Sequence, residues 1–289
     1  MPPRDLLLVA VVILAWGSNF TAMKLALDEL PPFLFVGLRF LILLPLLALL
    51  PRPQIPWWKI IAVGVLINMG QFAFLFAAMR ADVTAGLASL LLQAQAPLTI
   101  LLSALFLGER VRGIQAFGIA VAVLGLVIFG LGAGGNLTQI GLALVLCGAL
   151  CWASGNLILK GLGGVAMLPL FIWASLIPPL PMFALSFAVE GPDPVATIAT
   201  LSAEGWAAVI YVALISTVLG YSLWGALLAR HKAADVTPFA LLIPVVGIGT
   251  AAWVLGERLT AVEILGAVVI MVGLAFSVLG PRWRQTKEA

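Results

Sequence analysis

From Pro97 to Gly132 the chain carries a series of residues that returns, at an almost constant offset, between Pro244 and Gly280. Leu-Gly-Glu-Arg stands at 107–110 and again at 255–258, and Gly118, Gly125 and Gly132 are matched by Gly266, Gly273 and Gly280, each 148 residues on. A register held through a tetrapeptide and a whole further helix marks an internal duplication. Such a chain folds as two related units. By the count below five membrane crossings lie between the copies, and an odd number turns the second unit upside down relative to the first.

Crossings are required by composition: 63% hydrophobic and 9% charged residues over 289 positions, with a mean hydropathy of +1.19, exclude a soluble globule. The net charge of +3 does not indicate a nucleic-acid partner, because the basic residues are scattered singly between apolar runs. Their role is topological. The first apolar run follows Arg4, lacks a small-residue cleavage site and continues into Trp16-Gly-Ser-Asn19, which reads as a retained helix. Cys147 and Cys151 are one helical turn apart, too poorly oriented for a normal disulfide.

Ten spans are expected, at roughly 6–25, 32–50, 57–79, 83–106, 111–131, 138–159, 164–189, 206–229, 235–255 and 261–280, each near the ~20 residues that cross a bilayer as helix. Pro31-Pro32, Pro51-Arg-Pro53, Gly134-Gly135-Asn136, Gly163-Gly164 and Gly191-Pro192-Asp-Pro194 punctuate the joints. With the N-terminus inside, Arg4, Arg52, Lys59, Arg110, Arg112, Lys160, Arg230, Lys232, Arg282, Arg284 and Lys287, 11 of the 15 basic residues, fall on the cytoplasmic side. Both termini are then cytoplasmic.

The first spans of the two halves also match. Trp16 is followed eight residues later by Lys24, and Trp152 eight residues later by Lys160, with Asn19 and Asn156 between. Ala81-Asp-Val-Thr84 recurs as Ala234-Asp-Val-Thr237. With a Trp-Gly-Ser-Asn first span, a Pro followed by an apolar run into Leu-Gly-Glu-Arg, and both repeated over ten spans, the chain resembles the drug/metabolite transporter superfamily in its EamA-type branch. Within that branch it is similar to bacterial exporters of amino acids and related metabolites, the YddG-like proteins included. The resemblance implies an all-α membrane protein of two inverted five-helix repeats, 1–134 and 135–289, together one transport domain in the bacterial inner membrane. It further implies a central cavity lined by spans 1–4 and 6–9, with spans 5 and 10 packed outside.

The residues agree with that division. Spans 5 and 10 are almost free of polar groups and space small residues at Gly118, Ala122, Gly125, Gly266 and Gly273, which lets helices approach closely. Polar groups gather in the other spans, where each must face protein or water. Trp16 with Asn19, Asn68 with Gln71, Ser89 with Gln93, Trp152 with Asn156, and Thr217 with Tyr221 are three or four apart and share helical faces. Trp16, Asn19, Arg39, Gln71, Ser89, Gln93, Trp152, Asn156, Ser175 and Tyr221 are therefore the candidate substrate-binding residues. Aromatics and amides suit a zwitterionic or aromatic solute, and interhelical hydrogen bonding is the alternative role. Arg39, about seven residues into its span, is expected either to line the cavity or to snorkel to the outer surface. Glu109 and Glu257 are expected to fix helix ends and the turn that follows, and Pro97 and Pro244 to kink spans 4 and 9 as hinges.

Three function classes compete. A secondary transporter accounts for the repeat, the polar faces and the short connections. An intramembrane enzyme would need a catalytic constellation, and neither His-Glu-x-x-His nor Gly-x-Ser-x-Gly is present. A channel or solute-free scaffold is the third. No cofactor and no metal are expected; the partners are a small-molecule substrate and the lipid bilayer, with a monomer expected and a dimer the alternative. No Asp or Glu lies near the middle of a span, which favours uncoupled export over a proton-coupled exporter of drugs, organic cations or purines.

Overall fold

The computed structural model describes residues 1–131, 137–191 and 193–285, and the side chains of these except Pro194, Ala233, Ala234 and 281–285. Gly132, the Gly134-Gly135-Asn136 joint, Pro192 and Lys287 lie outside the described residues, as do the side chains of Ala234, Arg282, Trp283 and Arg284. Among the described residues every regular element is helical. In chain order the helices are α1 (Pro3–Glu29), α2 (Pro32–Ala48), α3 (Trp57–Ala81), α4 (Ala85–Leu107), α5 (Gly113–Leu131), α6 (Gln139–Lys160), α7 (Met167–Ala174 with Pro179–Val189), α8 (Ala203–Arg230), α9 (Thr237–Val254) and α10 (Ala261–Gln285).

Eight of these are long and apolar enough to cross a membrane, and the two pieces of α7, bent by 42°, form a ninth. The tenth expected span, α2, is shorter: its α-helix ends at Leu41 and a 3₁₀ turn, Leu44–Ala48, finishes it. Pro45 and the Pro178-Pro179 pair fall at these breaks, where a missing N–H and a fixed φ interrupt the hydrogen-bond ladder.

Irregular backbone recurs at matching places in the two halves. α3 contains a π-helical stretch at Gly64–Gln71 and α8 one at Tyr211–Leu219. α4 contains a 3₁₀ stretch at Leu92–Ala94 and α9 one at Thr237–Leu242, just ahead of Pro97 and Pro244. The prolines thus stand in the first turn of a renewed α-helix, where the absent N–H has no intrahelical partner to lose. Gly108 and Gly256, the glycines of the two Leu-Gly-Glu-Arg copies, end α4 and α9 in the left-handed conformation at φ 68° and 67°. A side chain there would be strained, so both copies require glycine.

Packing exchanges elements between the halves. α1 rests on α8 and α9, whereas α6 rests on α3 and α4. α5 and α10 cross each other through their small-residue stripes: a Cβ placed on Gly118 would come within 2.6 Å of the Gly273 carbonyl oxygen, and one on Gly125 within 2.8 Å of the Ile270 nitrogen. The two backbones meet because nothing stands between them.

Candidate functional site

Between these helices lies a cavity of about 570 Å³. Its walls come from α1 to α4 and α6 to α9, with Gln115 of α5 and Ser277 and Val278 of α10 added at one end, so the outer pair is not wholly excluded as the resemblance implied. Lining residues reach the helix ends on one side only, at Gln115, Leu159, Met167 and Thr237. That is the end where α1 begins and α10 finishes. Toward the other end the space stops at Met23, Leu75 and Leu92, and beyond it Ala26, Leu27, Ala85, Leu87 and Ala88 are completely buried.

The closed end is tied by carboxylates that bridge the two halves. Glu257 Oε1 and Oε2 accept the backbone N–H groups of Ala85 (2.7 Å) and Gly86 (2.9 Å) at the start of α4. Glu190 does the same for Phe33 and Leu34 at the start of α2 (2.7 and 3.0 Å), and Glu29 accepts from the Ser202 N–H at 2.8 Å and from its hydroxyl. Each carboxylate satisfies donors that a helix start leaves orphaned, with charge assistance. At the open end Glu109 pairs with Lys160 (2.8 Å), and Asp5 with Arg230 (2.9 Å) and His231 (2.6 Å). The role expected for the two glutamates changes in part: each reaches a helix end, but that of another helix, and not the turn that follows its own.

Eight of the ten expected site residues line the cavity: Trp16, Asn19, Arg39, Gln71, Gln93, Trp152, Asn156 and Tyr221. Ser89 and Ser175 do not. The first donates to Gly86 O (2.7 Å) and packs against Gly247; the second donates to Phe171 O (2.8 Å) beside Asn68, which bonds the same carbonyl at 3.1 Å. Both hydroxyls donate within their own helices, and contact with Gly247 of α9 and a bond accepted from Asn68 of α3 (3.4 Å) hold the two serines between helices, away from the cavity. Sequence reasoning missed Phe171, Trp224 and Phe72, which also line the space. Trp224 shares a face with Tyr221 and could have been found that way; an apolar Phe on a membrane helix carries no such signal.

Aromatic rings form one wall. Tyr221 stacks on Phe171 with centroids 4.1 Å apart, Trp16 stands edge-on to Tyr221 at 5.6 Å, and Trp224 lies 5.3 Å from Trp16. The Trp16 indole N–H is held by the carbonyl of Ser216, within the π-helical stretch of α8, at 2.9 Å. Gln93 donates to the Ala240 carbonyl (3.3 Å), and Asn156 to Thr99 (3.1 Å), so these amides tie α4 to α9 and to α6 while bordering the cavity.

Among the described residues Arg39 is the one charged group that lines the cavity. It is 3% exposed, so it borders the cavity and does not snorkel. Its Nη2 donates to Thr217 at 2.9 Å and its guanidinium lies 3.8 Å from the centre of the Phe72 ring, whereas Nε and Nη1 have no hydrogen-bond partner among the described residues. Asn19 Oδ1 and Gln71 Oε1 are likewise buried without partners. A cation–π contact returns ~2 kcal/mol for a desolvated cation, less than the several kcal/mol that burying an unpaired charge costs. Unused donors and acceptors thus collect around one space.

Residues 4–131 and 139–279 each match the EamA-like transporter family. The chain is 39% identical over 293 residues to a "Probable amino-acid metabolite efflux pump" of Escherichia coli strain K12, covering 99% of this chain and 98% of that one. It is 26% identical over 279 residues to a "Probable terminal-alkyne amino-acid exporter" of Streptantibioticus cattleyicolor, covering 92% and 90%. A solved crystal structure, 19% identical, superposes with a TM-score of 0.64 over 98% of this chain and 99% of the other, which shows the fold alone.

Proposed function

The chain belongs to the EamA-like transporter family, a multi-pass membrane carrier of small molecules and not an enzyme by kinship, and on that premise we propose that it exports amino acids and related zwitterionic or aromatic solutes. Export runs across the bacterial inner membrane by alternating access, with both termini cytoplasmic and no ion coupling. The observation that carries this reading is the lining of the cavity: amides, an aromatic wall and one guanidinium, a set that complements a carboxylate, a hydrogen-bonding polar group and a ring on one solute. The relatives' names support amino acids as the solute class.

Alternating access is supported by the contrast between the ends, one plugged and the other reached by the cavity, in a protein whose halves are inverted copies. Uncoupled transport rests on the lining, which contains no Asp or Glu to carry a proton through the membrane. Purified protein in liposomes, offered labelled amino acids, purines and organic cations with and without a pH gradient, tests all of this. Amino acids are expected to equilibrate with either gradient setting. Accumulation above equilibrium that requires the pH gradient would overturn uncoupled transport, and preference for cations or purines would overturn the solute class. Cysteines at 112 and 260, in a chain freed of Cys147 and Cys151, should label from opposite sides, the first from the cytoplasm.

A further inference from the structure

The charges of the cavity do not balance: Arg39 brings a full positive charge, and among the described residues no Asp or Glu lines the space. Resting on the exporter reading, we propose that Arg39 makes a carboxylate the obligatory charged group of the solute and leaves the ammonium dispensable. Aromatic carboxylates without a free amine, such as N-acylated or deaminated amino acids, are then substrates. The corresponding decarboxylated amines are refused.

Two observations carry this. The Arg39 side chain is buried with Nε and Nη1 both unpartnered among the described residues, so a planar donor fork is left short of acceptors beside the cavity. Among the described residues its only hydrogen-bond acceptor is the neutral Thr217 hydroxyl, and the rings of Phe72 (3.8 Å) and Phe40 (5.0 Å) cover its neighbourhood. A carboxylate supplies both the missing acceptors and the missing charge, in the geometry a guanidinium matches best. The groups available to an ammonium are of another kind. Asn19 Oδ1 and Gln71 Oε1 are neutral, and amide oxygens accept equally from an amide N–H or a hydroxyl. The aromatic wall offers an ammonium a cation–π contact of ~2 kcal/mol, less than the several kcal/mol that a charge loses on leaving water without a counter-charge, and Arg39 repels it.

Four compounds that share a benzyl group isolate the point: phenylalanine, N-acetylphenylalanine, 3-phenylpropionate and phenethylamine. Each is titrated against purified protein by quenching of tryptophan fluorescence, since Trp16, Trp152 and Trp224 line the cavity, and each competes with labelled phenylalanine for entry into proteoliposomes. The three carboxylates are expected to bind within about threefold of one another and the amine at least ~30-fold more weakly, in line with loss of a buried charge pair. Arg39→Gln should abolish that discrimination, and Arg39→Lys should keep its sign. Phenethylamine binding as tightly as 3-phenylpropionate to the unmodified protein would overturn the proposal, with no variant needed. Failure of 3-phenylpropionate where phenylalanine binds and is carried would overturn the dispensable ammonium while leaving amino-acid export intact. Binding of the carboxylates without any transport would uphold the selectivity and count against export.

Discussion

Glu109 and Glu257 occupy the same place in two copies of the same tetrapeptide, and their surroundings differ. The local backbone is the same: a left-handed glycine precedes each, and each glutamate N–H reaches back 3.3 Å, to Ser103 O in one copy and Ala251 O in the other. The side chains part company. Glu257 caps α4 through two backbone N–H groups at the plugged end, whereas Glu109, half exposed, pairs with Lys160 at the open end. Local sequence therefore dictates the turn, and the opposite half of the protein dictates what the carboxylate does there. A sequence difference outside the tetrapeptide accompanies this. Ala81-Asp-Val-Thr84 leads into Ala85-Gly86, but its copy leads into Pro238-Phe239, and Pro238 has no N–H to offer a carboxylate.

The largest effect is expected from Glu257→Ala, which leaves two donors at the start of α4 uncapped. Hydrogen bonds to a charged group contribute ~1.5–3 kcal/mol each, so the plug should lose on the order of 3 kcal/mol. A cysteine in place of Ser89, 1% exposed behind that plug, should then react with an impermeant maleimide from the plugged side at least tenfold faster. Unchanged labelling would show that the cap does not hold the plug.

Ala122→Val tests whether the contrast between the ends depends on the α5–α10 contact outside them. Ala122 is 3% exposed against Gly273, and two added methyl groups should cost ~1–3 kcal/mol by overpacking. Thermal stability in detergent should fall while solute preference stays as it was; altered preference would tie that contact to the cavity. Pro238→Ala gives the open end a donor that only the plugged end now has. About 1 kcal/mol of extra capping should raise labelling of the Ser89 cysteine from the plugged side several-fold, and no change would remove Pro238 from the explanation. Glu109→Ala should do least. It breaks a half-exposed ion pair, of a type that contributes ~0.2–1 kcal/mol, and the same labelling should hardly move; an effect equal to that of Glu257→Ala would erase the comparison.

Much of this was legible in the sequence, for definite reasons. The duplication, the helical crossings and their joints follow from periodicity and from breakers such as Pro31-Pro32, because a backbone in lipid must satisfy its own hydrogen bonds. The need for glycine at 108 and 256, and the stripes at Gly118 and Gly273, are local requirements that a sequence states directly. Spacing also brought Trp16, Asn19, Gln71, Gln93, Trp152, Asn156 and Tyr221 to one cavity, since residues three or four apart share a face.

What spacing could not supply is which way each face points. Ser89 looks like Gln93 in sequence, one helical turn away, and both face α9, at Gly247 and at the Ala240 carbonyl; yet Ser89 lies toward the plugged end, where the two helices close on each other, while Gln93 borders the cavity. Arg39 could have snorkelled; only the packing of α2 against α3 and α8 set its guanidinium over Phe72 and beside Thr217. Two copies of Leu-Gly-Glu-Arg are equal as text, and a chain read one residue at a time cannot break that equality. Tertiary structure breaks it because in this conformation one end of the cavity is closed and the other is not, and the carboxylate that finds helix-start N–H groups within reach is the one at the closed end.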